Sequence, residues 1–274
     1  MKKVVLLKKR CKMCGIFGFA LKQPVPMVSV FNLLAKLEIH QYVNEPTPVG
    51  GYGAGLAVLE NNESLMFEKI GKTSGLSPAK QLSEIVNIDD ASVLVGHVRM
   101  PSPEFMETAS FREAAQPYVA GSGKDLTVVS VHNGKVENYE ELRADLGKTH
   151  VFESEKVGLI DSEVIPHVFE KFLMLERNSD DALYRLFCTL QGSRNAIAML
   201  QVTEKETYLH FIHKGKSRGL TIWVNDQNEI VFCSRKEPLY EEFRAMLTEG
   251  KFREKVSIAY REDVGLKLSH RILP

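Results

Sequence analysis

Met13-Cys14-Gly15-Ile16-Phe17-Gly18-Phe19-Ala20 is the stretch on which the reading of this chain turns. A cysteine leads straight into an apolar, glycine-containing run of the length and kind expected of a buried strand. If Cys14 is the first residue of the mature chain, it carries a thiol and a free α-amine together. Their unperturbed pKa values lie near ~8.5 and ~7.7–8.0, so at neutral pH the amine can take the thiol proton and relay it. Inside a peptide bond the same nitrogen has a delocalised lone pair and is no base. The chemistry therefore requires residues 1–13 to be absent, either as a cleaved leader or because translation starts at Met13, and leaves 14–274 as the working domain. Cysteine is small enough for aminopeptidase removal of Met13; self-cleavage is the other route.

The rest of the composition narrows the partners. Lys plus Arg and Asp plus Glu are 35 each in 274 residues, so nothing in the charge calls for nucleic acid or an anionic membrane. No apolar run approaches the ~20 residues of a membrane span, and Met1–Arg10 lacks the ~7 apolar residues of a secretory signal. A cytoplasmic address follows. Four cysteines, Cys11, Cys14, Cys188 and Cys233, are too few for a disulfide framework and read as reduced thiols. Cys11-Lys12-Met13-Cys14 has metal-ligand spacing but no second pair, and it leads into a strand rather than the helix a redox motif needs. Cys11, Cys188 and Cys233 read as leader or core residues.

Outward from Cys14, β-branched and aromatic runs predict strands at Cys14–Ala20, Ala54–Leu59, Ser64–Ile70, Val93–Arg99, Leu126–His132, Asn195–Val202, Tyr208–His213, Leu220–Val224 and Glu229–Cys233. Apolar residues three or four apart predict helices at Val28–Ile39, Pro78–Val86, Glu137–Leu146, Ser162–Met174, Asp180–Leu190 and Pro238–Leu247. No repeat is present, and one continuous α+β domain accounts for the order. Asn44–Gly55 and Pro101–Gly123 have loop chemistry, the second long enough to suggest a function. Gly71-Lys72-Thr73 is not a phosphate-binding loop, because Met66 stands where its first glycine belongs. Gly51-Tyr52-Gly53 is not a dinucleotide turn, because Leu56 replaces the third glycine and a strand follows. His210 and His213 lie three apart on a predicted strand, face opposite sides, and cannot readily share a metal.

Six further motifs follow Cys14 in order: Gly51-Tyr52-Gly53-Ala54-Gly55-Leu56-Ala57-Val58, Gly96-His97-Val98-Arg99, Ala115-Gln116-Pro117-Tyr118, Val131-His132-Asn133-Gly134, Asp161-Ser162-Glu163-Val164-Ile165 and Ser234-Arg235-Lys236-Glu237-Pro238-Leu239. Together they resemble the N-terminal-nucleophile, or class II, glutamine amidotransferase domains found in amidophosphoribosyltransferase, glucosamine-6-phosphate synthase and glutamate synthase. The resemblance runs along nearly the whole chain. It implies a four-layer αββα sandwich, with two stacked antiparallel sheets between helical layers, and Cys14 as nucleophile. It also implies hydrolysis of the glutamine side-chain amide to glutamate and ammonia through a glutamyl thioester, without metal or organic cofactor.

The same resemblance gives roles to other positions. Attack on the amide creates an oxyanion that needs preset donors, and the Asn133 side-chain NH2 and the Gly134 N–H suit it. Gly134, lacking Cβ, lets the backbone approach the substrate. Arg99 is placed like the family's arginine for the glutamine α-carboxylate, which its planar fork can bind bidentately. Ser102 lies where the family often has threonine and offers a hydroxyl. Asp161 is placed like the acidic residue for the α-ammonium, with a helix N-cap as its rival role. Departures are Met100-Pro101-Ser102-Pro103 after the arginine, implying a stiffer loop, and Ile39-His40-Gln41-Tyr42 where many members carry an Arg-Gly pair. The expected partners are L-glutamine and a separate synthase subunit that takes the ammonia, with an oligomer possible. The competing expectations are a hydrolase acting on another amide and a non-catalytic regulatory or scaffold subunit whose N-terminus stays blocked.

Overall fold

A computed structural model describes residues 14–60, 64–121 and 125–272. The expected leader, with Cys11, lies outside the described residues. The strand after Cys14 is β1 (Gly15–Pro26), and its side chains alternate as a pleat requires. Ile16 and Ala20 enter one apolar cluster, and Phe17 and Phe19 enter another on the opposite face. Burial on both faces is why the run is apolar throughout. Each large side chain so buried contributes ~1.5–3 kcal/mol.

The remaining strands are β2 (Gly53–Glu60), β3 (Ser64–Gly71), β4 (Asp90–Val98), β5 (Tyr118–Gly121), β6 (Thr127–Gly134), β7 (Arg194–Val202), β8 (Thr207–Lys216), β9 (Leu220–Val224), β10 (Ile230–Cys233), β11 (Arg253–Ile258) and β12 (Asp263–Ile272). They form a first sheet ordered β11-β9-β10-β1-β4-β2-β3 and a second ordered β12-β8-β7-β6-β5. The β1 neighbours, β4 and β10, run antiparallel to it, as β5 and β7 do to β6.

Three layers of apolar side chains bind the molecule. Helices α1 (Met27–Ile39), α2 (Pro78–Ile85) and α6 (Lys236–Glu249) cover the outer face of the first sheet through Leu33, Leu37, Leu82 and Leu239 on Phe17, Phe19 and Leu56. Between the sheets, Ile16, Val95, Ile222 and Phe232 meet Val129, Val131, Ala198 and Phe211. Helices α3 (Tyr139–Leu146), α4 (Val164–Leu175) and α5 (Ser179–Thr189) cover the second sheet through Leu142, Val168, Phe169 and Leu186 on Val128, Ile197 and Met199. The order helix, sheet, sheet, helix is the αββα sandwich. No described helix is long and apolar enough to cross a membrane.

All nine expected strands and six expected helices are present with ends moved by a few residues. Three strands are additional. β12 alternates through Val264, Leu266 and Leu268, whose outward neighbours are polar or glycine, and β11 is an edge strand rich in charge. β5 is four residues inside the stretch read as loop. That stretch also holds 3-10 turns at Pro103–Thr108 and Arg112–Ala114, and it rests on its own cluster of Phe105, Ala114, Tyr118, Val157 and Ile160. The helix expected from Ser162 starts instead with a 3-10 turn, Asp161–Glu163, before α4. α6 begins two residues ahead of Pro238.

Candidate active site

Cys14 sits where β1 meets β4: Gly15 pairs with Val98, and Cys14 just before it reaches Met100. The thiol sulfur accepts the Met100 N–H at 3.4 Å and lies 3.6 Å from the Met100 carbonyl oxygen. A Cβ on Gly15 would stand 2.4 Å from Val49 and 2.9 Å from Val98, so only glycine lets the strand start this close to its neighbours. Burial pushes the Cys14 pKa up, the Met100 N–H and the charges of Arg99 and Arg218 pull it down, and Asp161 pushes it up again. Arg99 and Asp161, brought together from opposite halves of the chain, thus both act on one sulfur.

Arg99 follows β4 and is only 4% exposed. Its N–H bonds the Gly53 carbonyl at 2.7 Å, which turns the side chain inward at the glycine-rich segment. Nη1 donates to the Thr108 carbonyl at 2.8 Å and Nη2 to the Thr108 hydroxyl at 2.6 Å. Thr108 is delivered by the 3-10 turn Pro103–Thr108, for which proline at the first position is preset. Among the described residues no carboxylate pairs with this guanidinium, and burial lowers its pKa. Ser102 heads the same turn, and Glu104 within it is ion-paired to Lys135 beyond the end of β6. The loop therefore straps across from the first sheet to the second.

On β6, Asn133 shares the inter-sheet face with Val129 and Val131, two and four residues before it. It is fully buried, and neither its amide nitrogen nor its amide oxygen has a hydrogen-bond partner among the described residues. Such an orphan costs ~1–3 kcal/mol, which a structural residue would not carry without reason. A Cβ at Gly134 would stand 1.9 Å from the Arg194 carbonyl oxygen and 2.7 Å from both the His132 and Asn195 side chains, so glycine is required here too.

His132 fixes this strand end. Its backbone N–H donates to the Gln116 side chain at 2.6 Å, and the Gln116 NH2 returns a bond to its carbonyl at 3.1 Å. Its ring contacts the Ser162 hydroxyl at 2.9 Å through Nδ1 and the Asn195 amide oxygen at 2.8 Å through Nε2. The Asn195 oxygen also accepts the Lys135 N–H at 3.0 Å, so Nε2 must be the protonated nitrogen and Nδ1 accepts from Ser162. Burial lowers the His132 pKa to about 4, which keeps this tautomer neutral.

Asp161 is not the N-cap of α4; that position is Glu163, without a side-chain cap bond. Its Oδ2 instead accepts the Val136 N–H at 2.8 Å, just past Gly134. Burial raises its pKa to about 6, opposed by that bond and by Lys135.

Residue-level reading did not single out Thr108, Asn195 or a buried trio beside Cys14. In that trio one oxygen of Glu45 accepts from Arg218 at 3.2 Å and from Arg235, while the other accepts the Tyr42 N–H at 3.0 Å. Arg235 lies over the Tyr42 and Tyr260 rings at 4.4 and 5.2 Å. His210 and His213 bind separate partners, Gln201 with Ser269 and Val264 with Ser217, as their spacing implied.

With two sheets, a cysteine at the start of a buried strand and orphaned polar groups around it, the molecule has the architecture of an N-terminal-nucleophile amidotransferase. Two solved structures share this fold over 95% of the chain and 49% of their own: the glutamine phosphoribosylpyrophosphate (PRPP) amidotransferase of B. subtilis complexed with ADP and GMP, TM-score 0.58 and 19% identity, and a structure described as the allosteric regulatory enzyme of purine biosynthesis, TM-score 0.59 and 20% identity. Residues 106–241 match the glutamine amidotransferase domain family. The glutamine–fructose-6-phosphate aminotransferase of Geobacillus kaustophilus is 31% identical over 221 residues, 80% of this chain and 32% of that protein. Its Sulfolobus acidocaldarius counterpart is 28% identical over 195 residues, 69% and 28% respectively. The chain carries a class II glutamine amidotransferase domain. It spans about a third of the length of the curated relatives it matches.

Proposed function

We propose that this domain hydrolyses the side-chain amide of L-glutamine with Cys14 as nucleophile and its own α-amine as base, once residues 1–13 are gone. The observation that carries the reading is the buried Arg99 guanidinium, held by Thr108 and ion-paired to no carboxylate among the described residues, one residue before the Met100 N–H that holds the Cys14 sulfur. A cation kept this way suits the α-carboxylate of an amino-acid substrate. Asp161, ionised above about pH 6, binds the α-ammonium. Ser102 adds a hydroxyl from the loop over the pocket.

The thiol proton passes to the α-amine as sulfur attacks the amide carbon. The oxyanion takes the Asn133 NH2 and the Gly134 N–H as donors, which satisfies the orphaned Asn133 nitrogen. The ammonium form then gives its proton to the leaving nitrogen, the C–N bond breaks, and ammonia departs from a glutamyl thioester. Water attacks the thioester, the amine takes its proton, and sulfur leaves with that proton as glutamate forms. Burial alone disfavours the thiolate, so an internal base beside the sulfur is required. These steps use only the chain's own groups. We further propose that ammonia passes to a separate synthase subunit and that the protein works in the cytoplasm. With residues 1–13 retained, the raised thiol pKa favours the second reading, a non-catalytic subunit of the same fold.

Ammonia release from glutamine by wild type and Cys14→Ala tests the assignment. The variant is expected to fall to background, and release at the wild-type rate would end it. A screen of other amides separates glutamine from alternative substrates.

A further inference from the structure

On the outer layer, away from Cys14, α4 presents His167 and Glu170 three residues apart on one helix face. His150, just after the 3-10 turn Gly147–Thr149, comes down onto that face. The His150 and His167 Nδ1 atoms are 3.2 Å apart, and His150 Nδ1 lies 3.6 Å from Glu170 Oε2. All three ligand atoms fall within 4.8 Å of one another. Around an ion bound at ~2.0–2.2 Å, the edges of a tetrahedron are about 3.3–3.6 Å long. Two of the three separations already stand near that spacing.

The surroundings agree. The His167 ring is oriented by stacking on Phe152 at 4.2 Å and stands nearly perpendicular to the His150 ring at 88°. Glu170 is 5% exposed, and among the described residues its charged neighbour within pairing distance is His150, so a buried carboxylate faces imidazoles rather than a lysine or arginine. The neighbouring cations are engaged elsewhere: Arg143 with both oxygens of Glu155 at 2.5 and 3.2 Å, and Lys171 with the Asp145 carbonyl at 3.2 Å. Two imidazoles and one carboxylate with a fourth position open is a zinc-type donor set.

We propose that His150, His167 and Glu170 bind one divalent transition-metal ion, zinc by ligand type, which clamps the segment 147–160 onto α4. That segment leads directly into Asp161, about 10 Å along the helical axis from His167. The clamp would therefore set the approach to the ammonium-binding carboxylate without touching the reaction.

The test is titration of chelator-stripped protein with Co(II), followed by Zn(II). One equivalent of Co(II) is expected to give the visible bands of a four-coordinate nitrogen and oxygen site, and Zn(II) to displace it and raise the melting temperature. His150→Ala and His167→Ala should each weaken binding at least about 100-fold, since even second-shell losses cost 10–100-fold. His150 is on a loop, so its variant should match wild type in metal-free circular dichroism, and Cys188→Ser should bind normally, excluding the exposed thiol. Absence of stoichiometric binding, or binding that survives both histidine variants, would overturn the site.

Discussion

Two groups of buried arginines lie near Cys14, and they differ in what faces them. Arg218 and Arg235 share the carboxylate of Glu45, and aromatic rings close over Arg235. Their charge is largely answered from within the fold, and they tie the loop around residue 45 to the turns at 218 and 235. Arg99 is also buried, yet among the described residues its guanidinium bonds a hydroxyl and a carbonyl of Thr108 and no carboxylate. The first arrangement is a frame. The second leaves a buried cation without an ion pair among the described residues, and Asn133 on β6 is a buried amide with neither polar atom bonded. Burying a charge is costly unless it is paired. Where the partner is missing from the chain, the substrate is the natural candidate.

The largest effect should come from breaking the frame. Glu45→Ala leaves two buried guanidiniums without an anion and should cost about 3–5 kcal/mol of stability, read by urea unfolding and not restored by glutamine. A smaller shift would mean that the trio is not what holds those loops. Next, Asn133→Ala should slow glutamine hydrolysis by about 10²–10³-fold, ~2.7–4 kcal/mol of barrier, with the unfolding midpoint kept or raised because an unsatisfied amide is removed. Arg99→Met should raise KM for glutamine by about 10–150-fold, the equivalent of ~1.5–3 kcal/mol of charged hydrogen bonding. Its stability should hold or rise, since a buried cation without an ion pair destabilises the fold and its removal gives up only the two bonds to Thr108. If Arg99→Met unfolded as readily as Glu45→Ala, the contrast between the two arrangements would disappear.

The smallest effect concerns pH. The folded-state pKa of Asp161 is raised from 3.8 to about 6, so the folded chain holds this proton more tightly than the unfolded one. Its contribution to stability is therefore full below about pH 4 and is lost as pH rises through about 6. Substrate binding has the opposite sign, because the ammonium needs the anion. Below pH 6, kcat/KM should lose a further factor of about ten per unit beyond the fall set by protonation of the α-amine, and Asp161→Asn should remove that added fall along with the stability dependence. An acid limb unchanged in that variant would assign it to another group.

Much of this was legible along the chain. β1, β2, β4 and β6 are buried on both faces, so their apolar runs announce them, and the cysteine, arginine and Asn-Gly pair stand at their ends where a site can form. What was not legible depends on contacts between distant residues. Thr108 reaches Arg99 only because a 3-10 turn folds the loop back. Asn195 meets His132 across a strand pair, and Glu45 meets Arg218 and Arg235 over separations of 173 and 190 residues. β11 opens with three consecutive charged residues, Arg253-Glu254-Lys255, that hide it, whereas β12 shows its alternation through Val264, Leu266 and Leu268 and was missed. Asp161 had two readings from sequence, cap or ligand group. The fold removes the first by starting α4 after a further turn and leaves one carboxylate oxygen on Val136.

The most direct test is ammonia release from glutamine by two preparations whose masses have been measured intact. One begins at Cys14, and the other retains residues 1–13. Release is expected only from the first, because only there is the α-amine free to serve the sulfur. Equal rates from both would contradict catalysis by an N-terminal cysteine and would require a base elsewhere in the site.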